Sequence, residues 1–180
     1  GAVGVVHLDY GSTVEITPEP LNSFYLVQIP QTGTARIVHG GAEIRSDRAQ
    51  ASVLSPDAPS TMTWFSGNPQ LCIYLDRRLV ESALAGLLGQ SDAPADPIAF
   101  SLGMPLGSAP ARSWLATVEC LRAELETGRR DGSAPISLDH ADALGWSVAT
   151  QLLETHTHNY TAALLAQGGA PAGTVKRAIA

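Results

Sequence analysis

The chain has 180 residues, 44% of them hydrophobic and 16% charged, with a formal net charge of -6. That apolar content at modest charge excludes a disordered chain, and two cysteines exclude a disulfide scaffold. No apolar run approaches the ~20 residues that span a bilayer. The opening GAVGVVHLDY lacks the basic start of a secretory signal, so a cytoplasmic location is expected. Eleven basic residues face seventeen acidic ones, and the single lysine is Lys176. Arg77–Arg78 and Arg129–Arg130 are isolated pairs, so residues 1–170 offer no basic stripe for nucleic acid.

From Val3 to about Leu75 the pattern is short and two-periodic. VGVVHLDY, TVEIT, SFYLVQIP, TARIVHGG, AEIRS, QASVLSP, STMTWF and QLCIYL each read as a strand, rich in Val, Ile, Thr and aromatics and bounded by Gly, Pro, Asn or Asp. His39-Gly40-Gly41-Ala42 predicts a two-residue hairpin, since a primed turn needs two positive φ angles. About eight short strands at this spacing predict a small barrel or jelly roll.

The period then changes to helical. Leu79, Val80, Ala83, Leu84, Leu87 and Leu88 share one helical face, with Asp76 as the cap and Gly89 as the stop. Arg77 and Arg78 in the first turn run against the helix dipole. The proline-rich stretch 90–110 reads as a connector. A helix over 110–127, ended by Gly128, presents Trp114, Val118, Leu121 and Leu125 as a stripe. A second, over 137–155 with Ser137 as cap, presents Ala141, Gly145, Val148 and Leu152. Gly145 costs a helix interior ~1 kcal/mol against Ala, so either it admits a close neighbour or it is merely tolerated. Residues 167–173 read as a linker, and TVKRAIA begins a helical pattern that breaks off, as in a piece of a longer chain.

Catalytic chemistry is sparse. Neither a Gly-x-Ser-x-Gly elbow nor a phosphate loop occurs, and Cys72 and Cys120 sit in apolar patterns that favour inert, buried thiols. His7 and His39 lie on separate strands without a carboxylate partner. His156-Thr157-His158 lies at a helix end, where its two rings diverge. No metal site and no cofactor are expected. A small-molecule pocket is the remaining possibility. Gln28, Trp64 and Tyr74, if turned inward, combine aromatic walls with one polar anchor. Strand parity shows which residues share a face, but not which face is the inner one.

FYLVQIPQTGTARIVHGG, ASVLSPDAPSTMTWFSGNPQLCIYLDRRLVESALAGLLG and the late QLLETHTHNYTAALL resemble the effector-binding domain of AraC/XylS-type bacterial transcription regulators. APAGTVKRAIA resembles the start of that family's helix-turn-helix DNA-binding domain. The resemblance implies an α+β domain: a cupin-like jelly-roll barrel with one packed helix (residues 1–107, helix 76–89), then a helical dimerisation region (108–167), then a linker and the first residues of the DNA-binding unit (168–180). It implies a small organic effector, a homodimer, and DNA contacted by a domain beyond this chain. Leu121, Ala141, Gly145 and Val148 are the candidate dimer surface, and residues 1–10 are either an arm over the effector or an ordinary first strand. The competing readings are a cupin-fold enzyme and a module that dimerises without sensing anything.

Overall fold

The computed structural model describes residues 2–130 and 138–168. Eight strands occupy the predicted front half: β1 (Val3–Leu8), β2 (Val14–Ile16), β3 (Phe24–Pro30), β4 (Ala35–His39), β5 (Ala42–Ser46), β6 (Gln50–Leu54), β7 (Ser60–Trp64) and β8 (Gln70–Asp76). Their pairing follows one rule. β4 pairs β5, β3 pairs β6, β2 pairs β7 and β1 pairs β8, all antiparallel. This is one long hairpin, folded at its centre and rolled so that alternate pairs fall in opposite sheets. With a ninth strand, β9 (Gly103–Pro105), the orders are β1-β8-β3-β6-β9 and β2-β7-β4-β5. The centre of the roll is the Gly40–Gly41 turn, with φ of 56° and 83°, which only glycine adopts at little cost.

The ninth strand, β9 (Gly103–Pro105), lies inside the stretch that sequence reads as connector. It is three residues long and exists by pairing with β6, so no local pattern announces it.

α1 (Arg77–Leu87) starts where predicted: the Asp76 carboxylate accepts from Arg78 N and Leu79 N. It ends in a left-handed Gly89 (φ 63°), with Gly89 N donating to Gly86 O and Gln90 N to Ala85 O. The arginine at its N-terminus has a partner after all. Arg77 bonds Glu81 one turn on and Asp57 of the β6–β7 loop, both at 2.8 Å, which offsets the dipole. α2 (Ala109–Arg130) is capped by Ser108, whose Oγ accepts from Ala111 N. It continues through Gly128, correcting the predicted stop: a single interior glycine weakens a helix without ending it. α3 (Leu138–Thr155) follows, then a short α4 (Thr161–Gly168) in a segment that carries no helix prediction. The expected Ser137 cap and the TVKRAIA helix lie outside the described residues.

Two cores result. Between the sheets lie Leu26, Ala35, Ile37, Leu54, Met62, Trp64, Cys72 and Leu102. On the outer face of the larger sheet, Tyr25, Val27, Ile29, Leu71, Ile73 and Leu75 pack against α1, α2 and α3. β3 and β8 therefore bury both faces, which explains why FYLVQIP and QLCIYL carry no polar side.

Candidate functional site

The inner face is now fixed. Even-numbered residues of β3, β6 and β8 face between the sheets, and even-numbered residues of β7 with odd-numbered residues of β4 face them from the other sheet. Gln28, Trp64 and Tyr74 all belong to this inner face, spread along its length. Gln28 stands mid-barrel opposite Cys72, is 2% exposed, and accepts from Ser52 Oγ at 3.2 Å. Trp64 closes one end, with the Tyr10 ring edge-on at 5.5 Å. Tyr74 stands at the other end, 5.4 Å from the Phe24 ring. There it lines an opening of about 270 Å³ with Gly4, Ser23, Phe24 and Asp76. Burial, together with Cys72 and Tyr10 nearby, raises the Tyr74 phenol above its ordinary pKa. Burial alone pushes the Cys72 thiol up to about 12, so it stays protonated and unreactive.

Three of the histidines, His39, His156 and His158, are held by internal hydrogen bonds. His7 is exposed on β1, and His39 is buried on β4 in the other sheet. Ser55 N donates to His39 Nε2 at 2.9 Å, so the ring proton sits on Nδ1, which donates to Ser60 Oγ at 2.9 Å. The rings of His156 and His158 do not diverge to opposite faces; both pack on Phe100, one stacked at 5.9 Å and one edge-on at 5.3 Å. Each Nε2 donates to a backbone carbonyl, His156 to Ser101 O and His158 to Leu153 O. Asn159 and Tyr160 complete this clamp on the connector, holding Pro97, Ala99 and Asp96. Burial lowers the pKa of all three histidines.

The helical stripes are largely consumed inside the chain, which covers two of the four residues read as a dimer surface, Leu121 and Val148. Leu121 is 2% and Val148 0% exposed, and Trp114 Nε1 donates to Val148 O at 3.1 Å. Gly145 is buried because α3 crosses β1 there: a Cβ on it would stand 3.1 Å from Val3 Cγ2. Leu121, Ala141 and Gly145 do reach the floor of a groove of about 380 Å³ beside Trp146, which is 43% exposed.

Sequence reasoning missed Gln70 and Asn68. Gln70 is 0% exposed on the inner face, two residues before Cys72, and parity alone places it with Cys72 and Tyr74. Asn68 reads as an ordinary turn residue, yet it is 3% exposed.

A rolled hairpin closed over an interior without ionised side chains, with helices covering one outer sheet, is an α+β, cupin-like domain of the kind that regulators carry. The chain belongs to the AraC-binding-like domain family, whose pattern matches residues 1–153. It is 32% identical over 183 residues to the probable thc operon regulatory protein of Rhodococcus erythropolis, covering 99% of this chain and 53% of that one. The AraC-like transcriptional activator CuxR shares the fold, with a TM-score of 0.59 at 10% identity over 98% of this chain and 56% of that one. ToxT of Vibrio cholerae is more distant, with a TM-score of 0.44 at 11% identity over 81% of this chain and 53% of that one. The chain spans about half the length of the curated relative it matches.

Proposed function

We propose that this chain is the effector-sensing and dimerising part of a bacterial AraC-type transcription regulator. It works in the cytoplasm, and DNA is contacted by a further domain of the whole protein. The carrying observation is the family match over residues 1–153, laid on a jelly roll whose inner face is apolar and aromatic with a few amides. The net charge of -6 supports placing the DNA contacts elsewhere, because phosphate binding draws chiefly on Lys and Arg. Gln28, Trp64 and Tyr74 are the proposed effector contacts. The reading is regulatory rather than enzymatic: the rings of His39, His156 and His158 are committed to backbone and serine partners, and the described residues hold no group of three or more His, Cys, Asp or Glu able to bind a metal. No helix among the described residues is long and apolar enough to cross a membrane.

The division of labour proposed is sensing by residues 1–107, dimerisation by 108–167, and a link to the DNA-binding unit from 168. A second copy is placed on the α3 side, where Trp146 rims the groove floored by Ala141 and Gly145. Sedimentation of the wild type and of Trp146→Glu tests this, with dimer and monomer expected. A monomeric wild type at micromolar concentration refutes it. Anisotropy titrations at stated salt test the rest: residues 1–180 show no sequence-specific DNA binding, whereas a chain extended by the next domain binds promoter DNA as a pair of half-sites. Specific binding by residues 1–180, or none by the extended chain, overturns the proposal.

A further inference from the structure

Five buried side-chain polar atoms lack a hydrogen-bond partner among the described residues, and four belong to Trp64, Asn68 and Gln70: Trp64 Nε1, Asn68 Oδ1, Gln70 Nε2 and Gln70 Oε1. The residues are 3%, 3% and 0% exposed. Topology brings them together. Trp64 ends β7 and Gln70 begins β8, both on the inner face, and the turn between them carries Asn68. The 31–34 turn is fastened to that turn, through Asn68 Nδ2 to Thr34 O at 2.9 Å and Gln31 N to Pro69 O at 2.8 Å. Ser66 N, donating to Thr13 Oγ1 at 3.0 Å, ties the 9–13 segment across the same end. Buried polar atoms left unpaired are costly, and four at one end of a barrel call for a complementary group.

Their inventory defines that group. The cluster offers an indole N–H and the free amide N–H of Gln70 as donors, and two amide carbonyl oxygens as acceptors. The inward positions of the strands carry no Asp, Glu, Lys or Arg except Asp76, at the far end, whose carboxylate caps α1. A carboxylate here would face two carbonyl oxygens with no cation, and an ammonium would face N–H groups with no anion. A neutral amide satisfies both sets: its C=O accepts from Trp64 and Gln70, and its N–H donates to Gln70 and Asn68. From Gln70 the inner face continues past Cys72, Leu26, Ile37 and Met62 to Tyr74, roughly 13 Å along β8 and mostly apolar, with Gln28, bonded by Ser52, as the polar side chain opposite Cys72. Met62, an adaptable side chain, lies on that path.

We infer that the Trp64–Asn68–Gln70 end of the barrel binds the uncharged amide-type head group (carboxamide, lactam or urea class) of an effector whose apolar part runs toward Tyr74. This rests on the sensing role proposed above.

The test uses the 180-residue chain and a series of n-alkyl carboxamides from butanamide to octanamide, beside the matching carboxylates and alkylamines. Binding is followed by the indole N–H resonance of Trp64, assigned with Trp64→Phe. The amides are expected to saturate this resonance and shift it downfield, and the charged series is not. Gln70→Leu should weaken the amides about tenfold, the loss of one to two hydrogen bonds. Without any probe, Gln70→Leu should raise the thermal midpoint by about 3 °C, because an unpaired buried amide has been removed. Carboxylates or amines binding as well as amides would leave sensing intact and overturn the head-group assignment. So would unchanged amide affinity in Gln70→Leu, or a lowered midpoint, which would mean that ordered water already satisfies the cluster. If no probe in any series moves the Trp64 resonance, both the assignment and the sensing role of the barrel fall.

Discussion

Three buried neutral histidines make this fold sensitive to mild acid. His39, His156 and His158 are each 5–7% exposed, and each has its pKa lowered by burial from the ordinary 6.5. His39 cannot be protonated without taking the acceptor from Ser55 N, since Nε2 holds that bond. His158 faces the same conflict with Tyr160 N, which donates to Nδ1 at 3.2 Å. The unfolded chain takes up these protons near pH 6.5, while the folded chain resists down to its lower pKa values. Stability is therefore constant with respect to these groups above the window and falls as the pH falls through it. Each histidine contributes a slope of at most ~1.4 kcal/mol per pH unit, so the three together reach at most ~4 kcal/mol per pH unit. Glu43, held below the ordinary carboxylate range by Arg36, contributes in the same direction only at far lower pH. Urea unfolding between about pH 8 and pH 5.5 measures the slope, read as the midpoint at constant m-value. His39→Gln keeps an acceptor for Ser55 N and a donor for Ser60 Oγ, and should remove about a third of the slope. A stability that is flat or rises on acidification across that window refutes the reasoning, as does an unchanged slope in the triple Gln variant.

Three further outcomes follow from single contacts. Gly145→Ala should be close to neutral, its helix gain of ~1 kcal/mol offset by the crowding of Val3; in a Val3→Ala background the full gain should appear in denaturant titrations, and additivity would contradict the close approach. Gly33→Ala places a Cβ 2.8 Å from Gly67 O at φ 65° and should cost ~2–4 kcal/mol, whereas Gly67→Ala, at φ 74° in open space, should cost only ~1–2 kcal/mol; equal costs would show that the two turns are not held together as described. A thiol reagent should modify exposed Cys120 at once and Cys72 only on unfolding; rapid labelling of both in the native chain would place Cys72 outside the barrel core.

Much of this molecule was legible in local chemistry. Gly40–Gly41 can form a primed turn whatever surrounds it, and Asp76 and Gly89 cap α1 with groups within a few residues. Short runs rich in Val, Ile, Thr and aromatics, bounded by turn residues, marked all eight strands of the roll, because such side chains suit the pleat. Parity also tied Gln28, Trp64 and Tyr74 each to one face of its strand. Which face is the inner one depended on where the helices packed, and that is a contact between residues far apart in sequence. β9 and α4 likewise exist by pairing or packing with distant partners, so their own residues carry little signal. The helical stripes show the same limit in reverse. Trp114, Leu121 and Val148 were identified as apolar faces, but an apolar stripe is the same whether it meets its own sheet or a second copy, and only the tertiary structure shows that Val148 and Leu121 are covered from within. The unpaired Asn68 Oδ1 and the unpaired amide of Gln70 are furthest from any sequence rule, because what distinguishes them is the absence of a partner among the described residues, and a partner is defined only once every neighbour is in place.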